Sequence, residues 1–461
     1  MTWDRRDDAE QRRVLERTLG DWLPLTLAAT PFWRAAADQL GLAAPEARDL
    51  AALARLPAVR ELDLVADDPA GAGAVLAPTE DQVKAHAPAS SLREMAVALR
   101  GRGADGGRQV LRQTYRPLHL QTAGAHGSFL VASSRSDLDR MHRAGARAAA
   151  VAGLRDDDVL VSALRCGPTG AHVGVTHLAM GAGLTAAHPR TGDALDEVVR
   201  AVGVLSPSVL VVAVEEATAL AEELRAARVP TSSLRRVLVY GPPPDEAGRE
   251  AIVGAFAVGG ASVAVRAIWA PSEARALWAE CAPGSGLHTY PDLAYLEVVD
   301  PLTGAPTDGD GDLVLTSVGW HGTVLLRYRT GAWVDAPATE PCPQCGRTVP
   351  RLVGQVDPSA WQLAYAAANG PRVVDLRGVA TALERAPGIA AWRAELHPPA
   401  DDTGVDRLRV VLAGEPAADV AVLADRVGAA CGMPTEVGVA ATAAAVAAEV
   451  DRVGGVFADL R

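Results

Sequence analysis

Four residues of metal-binding type lie in two short pairs that are far apart along the chain. Cys281 is followed by His288, and Cys342 forms a C-P-Q-C motif with Cys345. Thiolates and imidazole are ligands that Zn²⁺ prefers, and a CxxC turn is a common way to present two thiolates. Four protein ligands leave no open coordination position, so the sequence predicts a structural zinc ion rather than a catalytic one.

Two alternatives to zinc stay open at this level. A redox-active CxxC pair usually begins a helix, whereas this motif lies between Pro341 and Pro350 in a predicted loop. The second alternative is that these thiols are buried or incidental and bind no metal ion. The remaining cysteines, Cys166 and Cys431, have no partner in the sequence, and we expect both to be buried.

The elements that must position these residues are predicted by the apolar pattern. From residue 110 onward, runs rich in Val and Leu alternate with Ala-rich helical stretches. Continuous apolar strands separated by helices are typical of a parallel sheet with both faces covered, so we expect an α/β fold. The predicted strands are Phe129–Ala132, Val159–Ala163, Val209–Val214, Val237–Tyr240 and Val263–Trp269, and the predicted helices between them are Ser136–Ala152, Asp193–Val202 and Glu215–Ala227.

The regions before and after this pattern differ from it. Residues 1–105 form a predicted helical arm, and short strands between closely spaced turns in residues 285–335 predict an antiparallel β-subdomain. The two Cys/His pairs flank this subdomain, so strand pairing there could bring them together in a zinc site within residues 281–350. We expect a large N-terminal domain at residues 1–356 and a small α+β domain at residues 357–461.

Composition excludes several classes of protein. The chain has 461 residues, 49% hydrophobic and 22% charged, which is ordinary for a globular protein and unlike a disordered one. A net charge of −12 argues against a nucleic-acid-binding protein. No uncharged apolar run reaches the ~20 residues of a membrane helix, and the charged N-terminal segment lacks a signal-peptide core. Five cysteines do not make a disulfide framework, so we expect a cytoplasmic protein.

One residue count restricts the possible mechanisms. Only one of the 44 basic residues is a lysine, Lys84. Any reaction that needs a lysine must therefore use Lys84 or proceed without one.

Several motifs, taken in order, resemble the phenylacetate–CoA ligase branch of the adenylate-forming enzymes. The most specific are E-V-V-D-P-L-T-G-A-P at Glu297–Pro306 and L-R-Y-R-T-G at Leu326–Gly331. The G-L-H stretch at Gly286–His288 is similar to a Gly-x-His pattern of these enzymes, and Gly354–Asp357 falls where their two domains join. The resemblance covers nearly the whole chain. It implies the two-domain adenylate-forming fold, a zinc site at the four Cys and His residues, and a homodimer.

These enzymes make an acyl-adenylate from a carboxylic acid and ATP, then transfer the acyl group to the thiol of CoA or a carrier protein. For this chain the resemblance implies an aryl or acyl acid as substrate, with ATP and Mg²⁺ as cofactors. Glu273 matches the magnesium-linked carboxylate of an aromatic-Gly-x-Ser-Glu motif, and the alternative of a solvent-facing Glu at the end of a strand stays equally open. The nucleotide-binding positions that the resemblance implies are Gly124, Gly127, Trp269, Ser272, Tyr328, Arg329 and Asp357.

The sequence departs from most of the features that carry this chemistry. The phosphate loop, here Thr122–Phe129, has lost most of its hydroxyls, and Ser128 stands in place of its lysine. A Gly-Ala-Glu-Pro stretch is replaced by G-P-P-P at Gly241–Pro244, where proline removes backbone donors. Ala332 stands where an Asp binds the ribose, and Gln355 where an Arg holds the nucleotide. No lysine occurs near the C-terminus, where these enzymes aim one at the charge of the transition state.

These losses together predict that ordinary ATP-dependent adenylation is lost or very slow, so they argue against ATP and Mg²⁺ as working cofactors. The predicted acyl pocket, Leu164–Thr176, contains Cys166 and His172, and His126 lies in the former phosphate loop. A thiol and imidazoles can act in nucleophilic or acid/base catalysis. Alternatively, Cys166 is a small buried hydrophobe and the histidines have backbone partners.

Three functions stay open. The first is a repurposed fold that binds an aryl or acyl acid, or its thioester, and performs ATP-independent acyl transfer, condensation or cyclisation in a biosynthetic pathway. The second is a working ATP-dependent acid–thiol ligase. The third is a non-catalytic partner that holds or regulates an active ligase.

Overall fold

The computed structural model of the protein describes residues 3–65, 71–87, 109–123, 129–190, 195–354, 356–358, 362–367, 370–384, 386–399, 404–416, 419–453 and 457–459, with residues 93, 96, 97 and 100. The chain divides into two compact units. Unit 1 comprises Met1–Glu297, Leu313–Thr330 and Val334–Val356, and unit 2 comprises Val298–Asp312, Gly331–Trp333 and Asp357–Arg461.

The N-terminal region is helical, as the sequence predicts. The first helix begins behind Asp7, whose carboxylate accepts a hydrogen bond from the Glu10 amide, and it buries Leu15 and Leu19. The second begins with Pro31, a residue preorganised for the first helical position. The helices are α1 (Asp8–Ala29), α2 (Pro31–Gln39), α3 (Leu50–Ala54), α4 (Glu61–Val65) and α5 (Glu80–His86), with 3₁₀ turns at Trp3–Arg5, Ala44–Glu46 and Ala72–Ala74. Most of the arm between residues 88 and 108 lies outside the described residues.

The hairpin that follows corrects one predicted strand. Strands β1 (His119–Ala123) and β2 (Phe129–Ser133) pair antiparallel, so Phe129–Ala132 is not part of the parallel sheet. The prediction was wrong because a parallel connection needs a dozen or more residues, and only residues 124–128 separate these two strands.

The other four predicted strands lie side by side in the largest sheet. Its eight strands follow the order β13-β9-β8-β7-β6-β5-β3-β4. Strands β3 to β7 run parallel, and β8, β9 and β13 extend the sheet antiparallel. The strands are β3 (Val159–Ser162), β4 (Thr185–Ala187), β5 (Val209–Ala213), β6 (Arg236–Tyr240), β7 (Ala264–Trp269), β8 (Trp278–Ala279), β9 (Leu287–His288) and β13 (Arg351–Leu352).

Helices connect the parallel strands. The ends of these helices carry typical capping residues. Thr169 caps the start of the helix at Gly170–Ala182, and Gly183 ends that helix in the left-handed conformation with φ +71°. The helices are α6 (Arg135–Ala152), α7 (Gly170–Ala182), α8 (Asp196–Leu205), α9 (Ala217–Ala226) and α10 (Glu246–Val258), with 3₁₀ turns at Val214–Glu216 and Ser272–Ala274.

Helices α6 and α7 approach each other backbone against backbone. A Cβ atom on Gly145 would lie 2.2 Å from the carbonyl oxygen of His177, and one on Gly181 would lie 2.1 Å from that of His142. These distances are too short for any side chain. The two glycines therefore set the separation of the helices.

We expect Gly145→Ala to lower the free energy of unfolding by about 1–3 kcal/mol, because the added methyl group must push α6 and α7 apart. Gly254→Ala in α10 is the matched control, since its Cβ would meet no atom within 4 Å. There the gain in helix propensity should stabilise the protein by about 0.5–1 kcal/mol. Urea unfolding of both variants checks this. Equal effects of the two substitutions would contradict the close approach.

Two smaller groups of strands complete the fold. One sheet has the order β10-β11-β12-β14, and the other has the order β19-β18-β17-β20 beside a separate β15–β16 hairpin. The strands are β10 (Ala294–Val299), β11 (Gly311–Ser317), β12 (Tyr328–Val334), β14 (Asp357–Pro358), β15 (Gln362–Ala367), β16 (Gly370–Asp375), β17 (Ile389–His397), β18 (Arg407–Gly414), β19 (Thr435–Val439) and β20 (Phe457–Asp459). The C-terminal helices are α11 (Arg377–Glu384), α12 (Val420–Cys431) and α13 (Ala443–Val453).

The C-terminal strands and helices share a core of their own. Leu396, Leu408, Val410 and Val427 are among its buried residues, and Cys431 is buried with them as the sequence predicts. Within the described part of the chain, we find no helix with the length and apolar character needed to cross a membrane.

Candidate functional site

The two predicted metal-binding pairs meet in the structure. The ligand atoms of Cys281, His288, Cys342 and Cys345 all lie within 4.8 Å of one another. The two Sγ atoms of Cys281 and Cys342 are 3.7 Å apart, and Cys345 Sγ is 3.3 Å from His288 Nε2. The cluster is buried to half-buried, so these four residues can hold a metal ion.

The antiparallel end of the large sheet builds this cluster. His288 in β9 pairs with Ala279 in β8 on one side and with Arg351 in β13 on the other. The C-P-Q-C segment is a turn in which the Gly346 amide donates to the carbonyl oxygen of Cys342 at 2.8 Å. The motif therefore lies in a loop, as predicted, and does not begin a helix.

The environment of His288 suits a metal ligand. We assign the Nδ1 proton to the 3.2 Å hydrogen bond with the carbonyl oxygen of Ala279, which leaves Nε2 facing the thiols as an acceptor. Burial lowers the pKa of His288 to about 4. The imidazole is therefore neutral at physiological pH, which is the form that binds a metal ion.

A second group of residues gathers at the carboxyl edge of the parallel strands, where loops of α/β sheets form binding sites. The Thr122 amide in β1 donates to the carbonyl oxygen of Pro168 at 2.7 Å. The side-chain amide of Gln121 donates to the carbonyl oxygen of Ser272 at 2.8 Å. A Cβ on Gly170, the first residue of α7, would lie 2.5 Å from the Cβ of Ser272. The hairpin, the start of α7 and the turn after β7 therefore converge.

Glu273 lies inside this convergence rather than on its surface. Glu273 is only 4% exposed, and its Oε1 atom accepts a 2.9 Å hydrogen bond from the hydroxyl of Tyr328. Burial, together with the Glu273 charge, raises the pKa of Tyr328 well above its usual range. The same two causes raise the pKa of Tyr240 to about 12. Both phenols therefore stay protonated beside the carboxylate, and a solvent-facing Glu273 is ruled out.

Other residues of the implied nucleotide site have structural contacts. Trp269 ends β7, and its ring contacts that of Trp278 edge to face at 5.8 Å. The Arg329 amide donates to the carbonyl oxygen of Val59 at 2.8 Å. Asp357 begins β14 and pairs with Trp333. Gly124, His126 and Gly127 of the predicted phosphate loop, and the hinge residue Gln355, lie outside the described residues.

The residue that the resemblance assigns to the ribose position has no polar side chain. Ala332 is 5% exposed and pairs with Pro358 in β14. The next carboxylate along the chain, Asp335, places Oδ2 only 2.6 Å from where a Cβ of Gly354 would be. Asp335 is thus packed against the backbone of Gly354.

Cys166 is exposed, so its predicted burial is wrong. It follows the carboxyl end of β3, and its thiol donates to the carbonyl oxygen of Pro189 at 3.2 Å. His172, in the first turn of α7, contacts His188 edge to face, with ring centres 5.0 Å apart. The Nδ1 atom of each ring is buried without a hydrogen-bond partner, so the backbone partner expected for His172 is absent at this atom.

Sequence reasoning missed His188 as a site residue. It directly follows β4, and β4 pairs parallel with β3 at one end of the sheet. The sequence did contain a signal for it, because this histidine directly follows the short Thr-Ala-Ala strand. It therefore lies at the carboxyl edge of the sheet, where the binding residues of α/β proteins are found.

The G-P-P-P segment lines a cavity of about 470 Å³ at the same edge. Pro243 and Pro244 form one wall, and the loop with Gly284 forms another. Arg249 makes two hydrogen bonds, of 2.9 and 2.8 Å, to the carboxylate of Glu280 in this wall. The ion pair is internally satisfied, because Glu280 also accepts from the Ala267 and Gly284 amides.

At the level of sequence, no protein-family model and no curated protein matches the chain. Solved structures, in contrast, do match the chain. A 2-hydroxyisobutyryl-CoA ligase in complex with 2-HIB-AMP and CoA, in the thioesterification state, is 18% identical over 95% of this chain and 87% of that chain, with a TM-score of 0.62. The chain has the adenylate-forming fold. An open conformation of the same ligase gives 18% identity over 94% and 88%, with a TM-score of 0.62.

The adenylate-forming fold confirms the architecture that the sequence motifs imply, with a larger N-terminal and a smaller C-terminal part. At 18% identity, the similarity between this chain and the solved ligase shows the fold alone. Activity must be argued from the residues of this chain.

Proposed function

We propose that this adenylate-forming fold binds an aryl or acyl acid, or its thioester, and does not perform ordinary ATP-dependent adenylation. The observation that carries the proposal is Ala332, buried where the resemblance places the ribose-binding carboxylate. A methyl group accepts no hydrogen bond. Leaving polar groups of a bound ribose without partners costs about 1–3 kcal/mol each.

The position of Lys84 also supports the proposal. It lies in α5 of the helical arm, and its ammonium group is 3.8 Å from Glu80 and 3.5 Å from Asp81 on the same helix. The C-terminal region, where the resemblance expects the catalytic lysine, has none. Removing a group that stabilises transition-state charge commonly costs ~10²–10³ in rate.

What remains at the carboxyl edge suits chemistry on an activated acyl group. Cys166 is exposed, and the ring of His172 in the first turn of α7 contacts that of His188, which follows β4. The Cys166 thiol could take an acyl group from a thioester, forming one carbon–sulfur bond as another breaks. An imidazole would accept the thiol proton and return it to the departing thiol. CoA or a carrier protein would supply that departing thiol, within a biosynthetic pathway.

We further propose zinc as the ion of the Cys281, His288, Cys342 and Cys345 cluster. Three thiolates and one neutral imidazole match the preferred ligands of Zn²⁺, and four protein ligands give a structural site. We also propose a cytoplasmic location, because five cysteines in 461 residues do not make a disulfide framework. A homodimer is a further expectation of the resemblance.

Calorimetric titration of ATP–Mg²⁺ into the zinc-replete protein tests the proposed function. We expect no binding at millimolar ATP, and binding of an aryl-acid or acyl-thioester series that Cys166→Ser and His172→Gln weaken. Micromolar ATP binding would overturn the proposal in favour of a working ligase, and Glu273→Ala would then be the next variant. Binding of neither class would favour the non-catalytic partner.

A further inference from the structure

Histidines surround helix α7, the helix whose first residue contacts the Ser272 turn. Five of them belong to this group: His172 and His177 on α7, His142 on α6, His119 on β1 and His188 after β4. Four of them form two ring contacts, His142 with His177 and His172 with His188.

The first contact lies at the crossing of α6 and α7. The rings of His142 and His177 meet edge to face, with centres 4.5 Å apart. His142 Nδ1 is 2.8 Å from the carbonyl oxygen of Leu138, one turn earlier in its own helix. His177 Nδ1 and His119 Nε2 are buried without hydrogen-bond partners.

The backbones of the two helices are in close contact at this crossing. Gly145 faces the carbonyl oxygen of His177, and Gly181 faces that of His142, each at a distance that excludes a Cβ. Each glycine therefore packs on the backbone of a histidine in the opposite helix. The two histidines whose rings meet are thus also the residues whose backbones form this close contact.

The second contact lies near the site. His172 and His188 meet with ring centres 5.0 Å apart, two residues along α7 from Gly170. The Ser272 turn packs against Gly170 and carries Glu273, whose carboxylate accepts from Tyr328.

The surroundings of these rings favour neutral imidazole. Burial, together with the neighbouring His142 and His119, lowers the pKa of His177 to about 4. Burial and His172 lower the pKa of His188, and burial alone lowers that of His172 and of His119. Among the described residues, no carboxylate is among the groups that shift these four histidines. Added protons would therefore place like charges side by side.

We propose that helix α7 is an acid-sensitive element: below about pH 6, protonation of its surrounding histidines weakens its packing against α6 and the contact of its N-terminal turn with Ser272. The proposal concerns the stability of a helix and does not depend on the proposed function.

The direction follows from linkage. The unfolded chain binds a proton at each histidine below about pH 6.5, whereas the folded state resists until its lowered pKa is reached. Stability is fully present above the unfolded pKa and is lost as pH falls towards about 4. A fully buried histidine with this shift would change the folding constant about tenfold between pH 7 and 5.5, and partial exposure reduces the effect.

Urea unfolding at pH 7.5, 6.5 and 5.5, with hydrogen exchange of residues 170–182, tests the proposal. We expect the folding constant to fall about three- to tenfold between pH 7 and 5.5, and the amides of α7 to lose protection before those of β5 and β6. His177→Gln should flatten the pH dependence. His188→Gln should flatten it less and serves if His177→Gln does not fold.

His397→Gln is the matched control. His397 lies in β17 of unit 2, and its ring is 2.9 Å from the carboxylate of Glu395. Its removal should leave the pH dependence unchanged. A wild-type protein whose stability and α7 protection are constant from pH 7.5 to 5.5 would overturn the proposal, as would flattening by His397→Gln alone.

Discussion

Replacing Cys345 by serine is expected to abolish stoichiometric metal binding and to lower the free energy of unfolding by about 3 kcal/mol or more. Cys345 Sγ lies 3.3 Å from His288 Nε2 in a cluster that joins β8, β9 and the C-P-Q-C turn. A metal ion that binds only the folded chain stabilises it by about 3–4 kcal/mol when present at 100 to 1,000 times its Kd. Without the fourth ligand, that stabilisation is lost.

Metal content by elemental analysis and thermal unfolding with and without chelator measure the effect. Wild-type protein should hold one zinc ion per chain, and a strong chelator should lower its unfolding temperature to that of the serine variant. Cys431→Ser is the matched control, since Cys431 is a buried thiol in the C-terminal core outside the cluster. If both serine variants keep the same metal content, the cluster is not the metal site.

Tyr328→Phe is expected to lower the free energy of unfolding by about 1–3 kcal/mol, because it removes a donor from the buried carboxylate of Glu273. The phenol and the carboxylate are both almost fully buried, and their 2.9 Å hydrogen bond involves a charged acceptor. A buried carboxylate that loses a donor carries its desolvation penalty with less compensation.

Tyr290→Phe is a matched control for the loss of a buried phenolic hydroxyl. Tyr290 is 1% exposed, and its hydroxyl is buried without a hydrogen-bond partner, so its removal should be neutral or stabilising. A double-mutant cycle of Tyr328→Phe with Glu273→Gln should give a coupling energy of about 1 kcal/mol or more. Additive effects would show that the two groups do not interact in solution.

The Cys/His cluster and the Tyr328–Glu273 pair differ in how far the sequence predicts them. The Cys and His spacings predict the four residues of the candidate metal site, because ligand chemistry depends on residue type and a CxxC turn is local. What could not be read is the antiparallel extension of the sheet by β8, β9 and β13. Within it, the pairing of His288 in β9 with Arg351 in β13 joins residues more than fifty positions apart, and no local pattern specifies it.

The burial of Glu273 illustrates the same limit. Its motif indicates a functional carboxylate, yet the sequence left solvent exposure and a magnesium-linked role equally open. Burial depends on Tyr328, which lies 55 positions later along the chain. Such contacts are properties of the assembled fold, since they need two distant segments to occupy one place.

The sequence by itself determined the alternation of parallel strands and helices, the four residues of the candidate metal site, the single lysine and the alanine at the position that the resemblance assigns to ribose binding. Each is a matter of residue type or local periodicity. Tertiary structure alone decided that Phe129 lies in a hairpin, that Cys166 is exposed and that His188 meets His172. These outcomes depend on which distant segments pack together, and the free energy of that packing is shared across the whole fold rather than carried by any one segment.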